Sequence, residues 1–502
     1  MNKQFYITTA IDYVNGQPHL GHAYEKIITD VIARSQCCLG SESFYLTGLD
    51  EHGQKVQQAA EDNGQNAQDY CNNLAEDWQA FATKLGLSNG DFVRTTEERH
   101  KTVVAEILQG LYDKGEFYQK EYVGFYSAKQ ESFLTEKDRN DNGEFDPIYG
   151  EVQELRENNY YFKLGQYQQW LIEHIEANPN FVAPDNRRNE VLGFLKNENL
   201  EDLCISRPKE RLSWGIPLPF DSDYVTYVWF DALTNYLSIP RAIGRESELW
   251  PADIHVIGKD ILKFHAVYWP IMLRAANLEI PKQILVHGWW QKDNQKMSKS
   301  TGNVVDPVAV IDEWGLDAFR YYVVRELDIG PDGNWTDEGF AARYGAELAN
   351  GLGNLINRSL SMLGRYRDGV VPEAHDELAH DATVARDKLV EQLRANELQA
   401  GLMTIWSYIA RLNQYVDETA PFKMAKDPNQ AKRLGEVLYN LTESCRLLAV
   451  WLQPYLPTTS HRIMEQLNLP KDIINIAQSG WGELTAGQKV NKPEALFPRR
   501  DK

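Results

Sequence analysis

The sequence predicts an α/β protein, a doubly wound parallel-sheet domain interrupted by a connective insertion and followed by an all-α helical bundle. Three observations predict it. Short β-prone apolar runs alternate with helix-patterned stretches over residues 1–116 and again over 226–325, as parallel strands joined by crossover helices require. Between them, 117–225 changes texture, with many Tyr, Asn and Glu and a Pro- and base-rich segment, SRPKERLSWGIPLP, at 206–219. From about residue 340 the spacing of apolar residues is helical. The divisions are therefore 1–116 and 226–325 for the two halves of a Rossmann-type domain, 117–225 for the insertion, 326–370 for a linking region and 371–502 for the bundle.

Each element has a local reason. QFYITTA (4–10) is a β-prone run ended by the turn formers Gly16 and Pro18, and apolar residues from about His22 to Cys38 recur at helical spacing. SFYLTG (43–48) leads into polar DEHG and an Ala- and Gln-rich helical stretch. DIHVIG (253–258) leads into KDILKFHAVYWPIML, and ILVHGWW (284–290) into a lysine-rich loop. DRNDNGEFDPIYG (138–150) reads as a loop, and 382–418 as one long amphipathic segment closed by Pro421. In such a fold ligands meet the carboxyl ends of the strands.

The 502 residues exceed one domain, and 25% charged with 43% hydrophobic residues is an ordinary globular composition. The formal charge of −20 excludes tight non-specific nucleic-acid binding, which depends on neutralising phosphates. That acidity is uneven, because 371–502 holds 16 Lys and Arg against 17 Asp and Glu. The bundle is nearly neutral, with local basic pairs such as Lys432-Arg433 and Arg499-Arg500. The five cysteines, Cys37, Cys38, Cys71, Cys204 and Cys445, include no C-x-x-C pair and suit a reducing compartment. The N-terminus lacks a signal peptide's basic start and apolar segment, and no apolar run approaches the roughly 18 residues of a membrane span. A cytoplasmic protein with no membrane partner is expected.

Two short motifs carry chemistry. His19-Leu20-Gly21-His22 stands where a loop becomes a helix. Histidines three apart share a helix face, backbone N–H groups and the positive dipole end point the same way, and Gly21 lets a ligand approach. Such a place suits phosphate oxygens. Lys296-Met297-Ser298-Lys299-Ser300 follows the strand-like run at 284–290; two ammonium groups on a loop can neutralise a departing pyrophosphate.

With these motifs in this order the chain resembles the class I aminoacyl-tRNA synthetases, which carry "HIGH" and "KMSKS" sequences in the two halves of the nucleotide-binding fold. Further residues make it similar to the methionyl-tRNA synthetase family: Ala10 to Gly16 (AIDYVNG), Thr47 to Gly53 (TGLDEHG), Tyr227 to Ala232 (YVWFDA), and Ile257 to Ile261 (IGKDI) running on to His265 and Trp269. The resemblance spans nearly the whole chain.

The resemblance implies ATP-dependent activation of L-methionine to methionyl-adenylate and its transfer to the 3′ end of initiator and elongator methionine tRNAs, with Mg²⁺ accompanying ATP. It places methionine among Ala10, Ile11, Tyr13, Trp229, Ala232, Tyr236, Ile261, Phe264, His265 and Trp269, where sulfur–aromatic contacts suit a thioether, with Asp50 accepting from the α-ammonium. It places ATP near His19, Gly21, His22, Glu25, Gly258, Asp260, Lys296 and Lys299, and gives His19, His22, Lys296 and Lys299 the catalytic role. Asp260 suits a ribose hydroxyl or a helix N-cap. Many family members have zinc knuckles in the insertion; here Tyr126 to Gln130 and Asp146 to Gly150 stand where paired cysteines would fall, so no zinc and no other resident metal is expected. The bundle resembles the family's anticodon-binding domain, with Gln414 and Phe422 where the family usually has Arg and Trp. Asn413 and Trp481 are the candidate anticodon contacts, by hydrogen bonding and base stacking, unless they serve as a helix-surface residue and a packing anchor. The region 326–370 is the expected stem-contact linker. Because some members continue into a dimer-forming domain beyond KVNKPEALFPRRDK, a monomer is expected. Two alternatives stand beside this reading, a small-molecule adenylyltransferase and a non-catalytic tRNA-binding relative.

Overall fold

The computed structural model describes residues 4–14, 16–127, 132–134, 136–140, 142–297, 303–472 and 474–500. The chain forms two compact units, one of Met1–Pro18, Phe44–Thr83 and Asn89–His287, the other of His19–Ser43, Lys84–Ser88 and Gly288–Lys502.

The first unit is built on a seven-stranded sheet of β1 (Phe5–Thr9), β2 (Asp12–Tyr13), β3 (Ser43–Asp50), β4 (Asp91–Arg94), β5 (Val182–Ala183), β6 (Ile254–Gly258) and β7 (Ile284–His287). The order is β2-β3-β1-β6-β7-β5, with β4 also beside β3. Parallel registers run Ile7↔Ile254 to Thr9↔Val256, His255↔Ile284 to Gly258↔His287, and Tyr13↔Asp50. Every residue of β6 and β7 is buried, which is why they read as continuous apolar runs rather than alternating ones. The winding reverses at β1, between β3 and β6, and the strands end there at Thr9, just before Ala10, and at Gly258. That is the ligand-binding switch point of an open α/β sheet.

The insertion is less self-contained than its texture suggests. Its Val182–Ala183 pairs with Ile284 and Leu285 as the edge strand of the main sheet. Its long hairpin pairs Phe117–Ser127 with Val152–Phe162 in unbroken antiparallel register. Near the hairpin tip the Arg139 guanidinium lies over the rings of Phe125 (4.6 Å) and Phe145 (4.2 Å), and the Ser127 hydroxyl donates to the Tyr149 carbonyl at 2.5 Å. The donor set does not fit a zinc knuckle: the sequence between 72 and 203 has no cysteine, and Asp146 caps the turn Pro147–Tyr149. Among the described residues of the tip, ring packing and cation–π contacts supply the bracing.

The second unit opens with the helix Leu20–Cys38. A small sheet follows His287, with Trp290–Lys292 antiparallel to Gln295–Lys296 and parallel to Gly333–Trp335. Asp293 and Asn294 both have positive φ, 52° and 62°, the twist a two-residue hairpin loop prefers. The expected strand 284–290 is thus two strands separated at Gly288, where a Cβ would lie 2.0 Å from the Pro331 carbonyl oxygen. The bundle contains Asn354–Arg367, Ala379–Arg394, Leu398–Thr419, Ala431–Leu452 and Pro457–Gln466. Ala431–Leu452 is buried from Val437 through Leu452 and forms its axis. The expected single helix over 382–418 is broken at Asn396, whose φ is 57°.

Candidate active site

In the first unit the switch point gathers residues from four places in the chain. Tyr13 ends β2, in register with Asp50, the last residue of β3. Asp50 is buried. The short helix Val228–Leu233 presents Trp229, whose indole meets the Tyr13 ring edge-on at 6.2 Å and stacks on Phe264 at 3.6 Å with planes 7° apart. Phe264 and His265 sit on a π-helical turn, Phe264–Tyr268, between the 3₁₀ turn Lys259–Ile261 and the helix Trp269–Ala276. The π turn interrupts the helical periodicity of the segment KDILKFHAVYWPIML that follows β6, and such turns are frequent at functional sites. Ala10, Ile11, Tyr236, Ile261 and Trp269 belong to the same apolar cluster, and Ala232 lies on the Trp229 helix.

The polar groups of this wall are fixed and neutral. His265 Nδ1 lies 3.0 Å from the Ile261 carbonyl, which can only accept, so Nδ1 carries the proton and Nε2 accepts from the Tyr236 hydroxyl at 2.7 Å. Burial pulls the His265 pKa down to about 4. Behind it, His255 Nε2 accepts from Trp269 Nε1 at 3.3 Å, and His255 Nδ1 donates to Thr8 Oγ1 at 2.8 Å. Burial holds His255 well below the usual imidazole range. A wall of neutral rings beside the buried Asp50 carboxylate suits a neutral side chain attached to an ammonium.

At the end of β6, Gly258 leaves room for Asp260, since a Cβ there would lie 2.6 Å from Asp260 Oδ1. Gly258 is the cap of the turn Lys259–Ile261, and Asp260 stands inside the turn with its side chain exposed. The cap position of this turn is thus Gly258 and not Asp260.

In the second unit the HLGH tetrapeptide is a reciprocal cap. His19, extended at φ −132°, accepts the Gly21 N–H on Nδ1 at 3.1 Å, and His22 Nδ1 accepts the His19 N–H at 3.1 Å. Two of the backbone donors expected to meet a ligand are thus occupied by imidazole nitrogen. The acceptor role of both Nδ1 atoms leaves the proton of each neutral ring on Nε2, so each ring presents an N–H donor. The rings stack at 3.7 Å, and a Cβ on Gly21 would lie 3.0 Å from His19 Cε1. A side chain at position 21 would press on the capping ring of His19. Glu25 is buried one turn further on. Lys296 lies in the hairpin strand Gln295–Lys296, while Ser298, Lys299 and Ser300 fall outside the described residues.

In the bundle, Arg358 Nη2 donates to the Asn413 side-chain oxygen at 2.7 Å. Trp481 donates Nε1 to the His375 carbonyl at 2.8 Å and is half-buried. Its loop is clamped by Glu443, whose carboxylate accepts the N–H of Gly482, Glu483 and Leu484 and pairs with Arg446.

The sequence assigns no role to His52, His100, Asp231 and His255. His52 and Asp231 lie inside quoted motifs, whereas His100 and His255 carry no local signal.

A doubly wound sheet with a site at its switch point, an imidazole-capped helix start and a lysine-bearing hairpin define a class I tRNA-synthetase architecture. The chain matches the family "tRNA synthetases class I (M)" over residues 5–142 and 146–360, and the "Anticodon binding domain of methionyl tRNA ligase" over 367–501. It is 43% identical to the methionine–tRNA ligase of Bacillus subtilis, covering 99% of this chain and 78% of that protein, and 39% identical to that of Fusobacterium nucleatum, covering 99% and 80%. Mycobacterium tuberculosis methionyl-tRNA synthetase in complex with methionyl-adenylate superposes with a TM-score of 0.92 at 36% identity, over 99% of this chain and all of that one. The chain belongs to the methionyl-tRNA synthetase family of class I enzymes.

Proposed function

We propose that the chain activates L-methionine with ATP and transfers it to methionine tRNAs, both initiator and elongator. A methionine carboxylate oxygen attacks the α-phosphorus in line, the bond to the bridging oxygen breaks, and pyrophosphate leaves. In the second step the terminal ribose hydroxyl of tRNA attacks the adenylate carbonyl carbon; AMP leaves and the hydroxyl proton passes to solvent. No protein nucleophile is required, so the protein contributes orientation and charge stabilisation.

The observation that carries this reading is the neutral aromatic wall with the buried Asp50 carboxylate at the end of β3. Trp229, Phe264, Tyr13, Tyr236, Trp269 and the neutral His265 suit a thioether, with Ala10, Ile11, Ala232 and Ile261 filling the remaining apolar surface. Asp50 takes the ammonium. Gly258 and Asp260 serve the nucleoside. The Nε2–H groups of His19 and His22 donate to the phosphates, with Gly21 and Glu25 beside them, and Lys296 and Lys299 neutralise pyrophosphate, whose counter-ion is Mg²⁺. Asn413 and Trp481 meet the anticodon, and the divisions at 116, 225, 325 and 370 separate these tasks. The insertion works without zinc; stoichiometric zinc in purified protein would contradict this. No helix among the described residues is long and apolar enough to cross a membrane, and the reading places the protein in the cytoplasm as a monomer, which sedimentation equilibrium checks.

The deciding experiment is ATP–pyrophosphate exchange screened across the amino acids. Methionine alone among the standard amino acids is expected to support exchange. Exchange independent of any amino acid would favour a small-molecule adenylyltransferase, and tRNA binding without exchange a non-catalytic relative.

A further inference from the structure

Asp231 is almost fully buried yet makes no part of the wall just described. It stands on the helix Val228–Leu233, two residues after Trp229 and one before Ala232, and is 1% exposed. Its carboxylate receives two imidazoles. Asp231 Oδ2 is 2.7 Å from His52 Nδ1, and Oδ1 is 2.7 Å from His100 Nε2. A carboxylate accepts only, so both ring nitrogens are N–H donors. Burial alone would raise the Asp231 pKa, but the two histidines reverse that and hold it below the usual carboxylate range. The second nitrogen of His100 lies 2.8 Å from Ser238 Oγ, on the helix that also carries Tyr236.

The other end of this network is the loop that carries Asp50. His52 follows Asp50 by two residues, and its ring meets Trp214 edge-on at 5.5 Å. Trp214 Nε1 donates to the Glu51 carbonyl at 2.5 Å, the Glu51 N–H donates to Thr95 Oγ1, and the Glu51 carboxylate pairs with Arg94 at 2.7 Å. The strand-end loop is braced on one side by Trp214 and Arg94 and on the other by Asp231. Asp231 therefore ties the element bearing Asp50 to the helix bearing Trp229, with His100 of the helix Glu98–Asp113 as the second anchor.

We propose that Asp231, with His52 and His100 as its two donors, is a positioning residue for amino-acid binding: it sets the separation between the carboxylate that takes the ammonium and the ring that meets the side chain. This rests on the reading of Asp50 and Trp229 as the methionine site. A misplacement of about 1 Å far from the reacting atoms can cost about a hundredfold in rate, and Asp231 joins the loop after Asp50 to the Trp229 helix through His52. The network bears on methionine and not on ATP, whose assigned residues lie on other segments.

The test is steady-state exchange kinetics with melting temperatures. Asp231→Asn presents an amide N–H₂ to one of two N–H donors, and is expected to raise the methionine KM about tenfold or more while leaving the ATP KM unchanged. Asn places its amide nitrogen near the Nδ1 position and Gln near Nε2, so His52→Asn and His100→Gln should keep most of the methionine affinity that His52→Ala and His100→Ala lose. If Asp231→Asn does not fold, these two pairs carry the test. The proposal is overturned if the variants lower only the melting temperature, if methionine and ATP KM rise together, or if the amide variants are no better than alanine. Asp50→Asn in the same assay separates the two layers: an unchanged methionine KM there defeats the site reading, whereas a raised one beside unaffected network variants defeats only the positioning role.

Discussion

Asp50 is where a single functional group decides affinity. It ends β3 buried beside Tyr13, and a hydrogen bond to a charged group contributes about 1.5–3 kcal/mol. Asp50→Asn should therefore raise the methionine KM by about 10- to 100-fold with the ATP KM unchanged; exchange kinetics at varied methionine reads this, and an unaltered value would remove Asp50 from the site. Most residues of this wall were legible as a set because they fall in a few contiguous motifs. What was not legible is how they are held. His255 orients Trp269 and stacks on Tyr236 at 4.2 Å, but it does so because Thr8 and His255 are register partners 247 positions apart. Nothing local to DIHVIG announces that pairing.

Among elements, the helix Leu20–Cys38 shows a motif doing two jobs at once. His19 and His22 cap the helix through Nδ1, which puts the proton of each neutral ring on Nε2, the atom proposed to donate to phosphate. Asparagine is as good an N-cap as any residue, so His19→Asn should keep the melting temperature while slowing exchange by about a hundredfold, the loss typical of one donor to a charge-developing oxygen. Equal falls in both would mean that the imidazole serves the helix alone. The loop of Trp481 permits a similar separation. Glu443 accepts three successive backbone N–H groups there, so Trp481→Ala leaves its backbone clamped. The expected outcome is weaker tRNA charging with exchange intact, and parallel losses would return Trp481 to a packing role. Element boundaries were the least legible feature. Apolar periodicity reports which face is buried, and that face continues across Asn396, where the backbone turns left-handed, just as it continues through the π turn at Phe264–Tyr268.

At the scale of the whole molecule, the two motifs lie far apart in sequence, and within the second unit one buried ion pair ties their neighbourhoods together. Asp30, on the helix that HLGH begins, meets Arg320, on the helix Leu316–Glu326 after the lysine hairpin, at 2.7 Å with both side chains fully buried. Arg320 also donates to the carbonyls of Leu85, Pro454 and Tyr455, the last two in the turn before Pro457–Gln466. Asp30 accepts from Arg34 and from the N–H and hydroxyl of Ser88. Composition shows the acidity of residues 1–370, but not that one of those carboxylates is a hub; only the fold brings 30, 85, 320 and 455 together. Removing one member of a buried pair costs about 3–5 kcal/mol because the other charge is stranded, so Arg320→Met should lower the unfolding free energy by about that much, and Asp30→Leu combined with it should recover part of the loss. Burial would raise the Asp30 pKa, but Arg320, Arg34 and Ser88 together hold it below the ordinary 3.8. A carboxylate depressed in the folded state stabilises above its unfolded pKa and loses that contribution as pH falls through the folded value. Urea denaturation followed below about pH 4 should therefore show a steeper loss for the unaltered chain than for Asp30→Asn. Equal slopes, or a double variant less stable than Arg320→Met alone, would show that the pair is not what joins these helices.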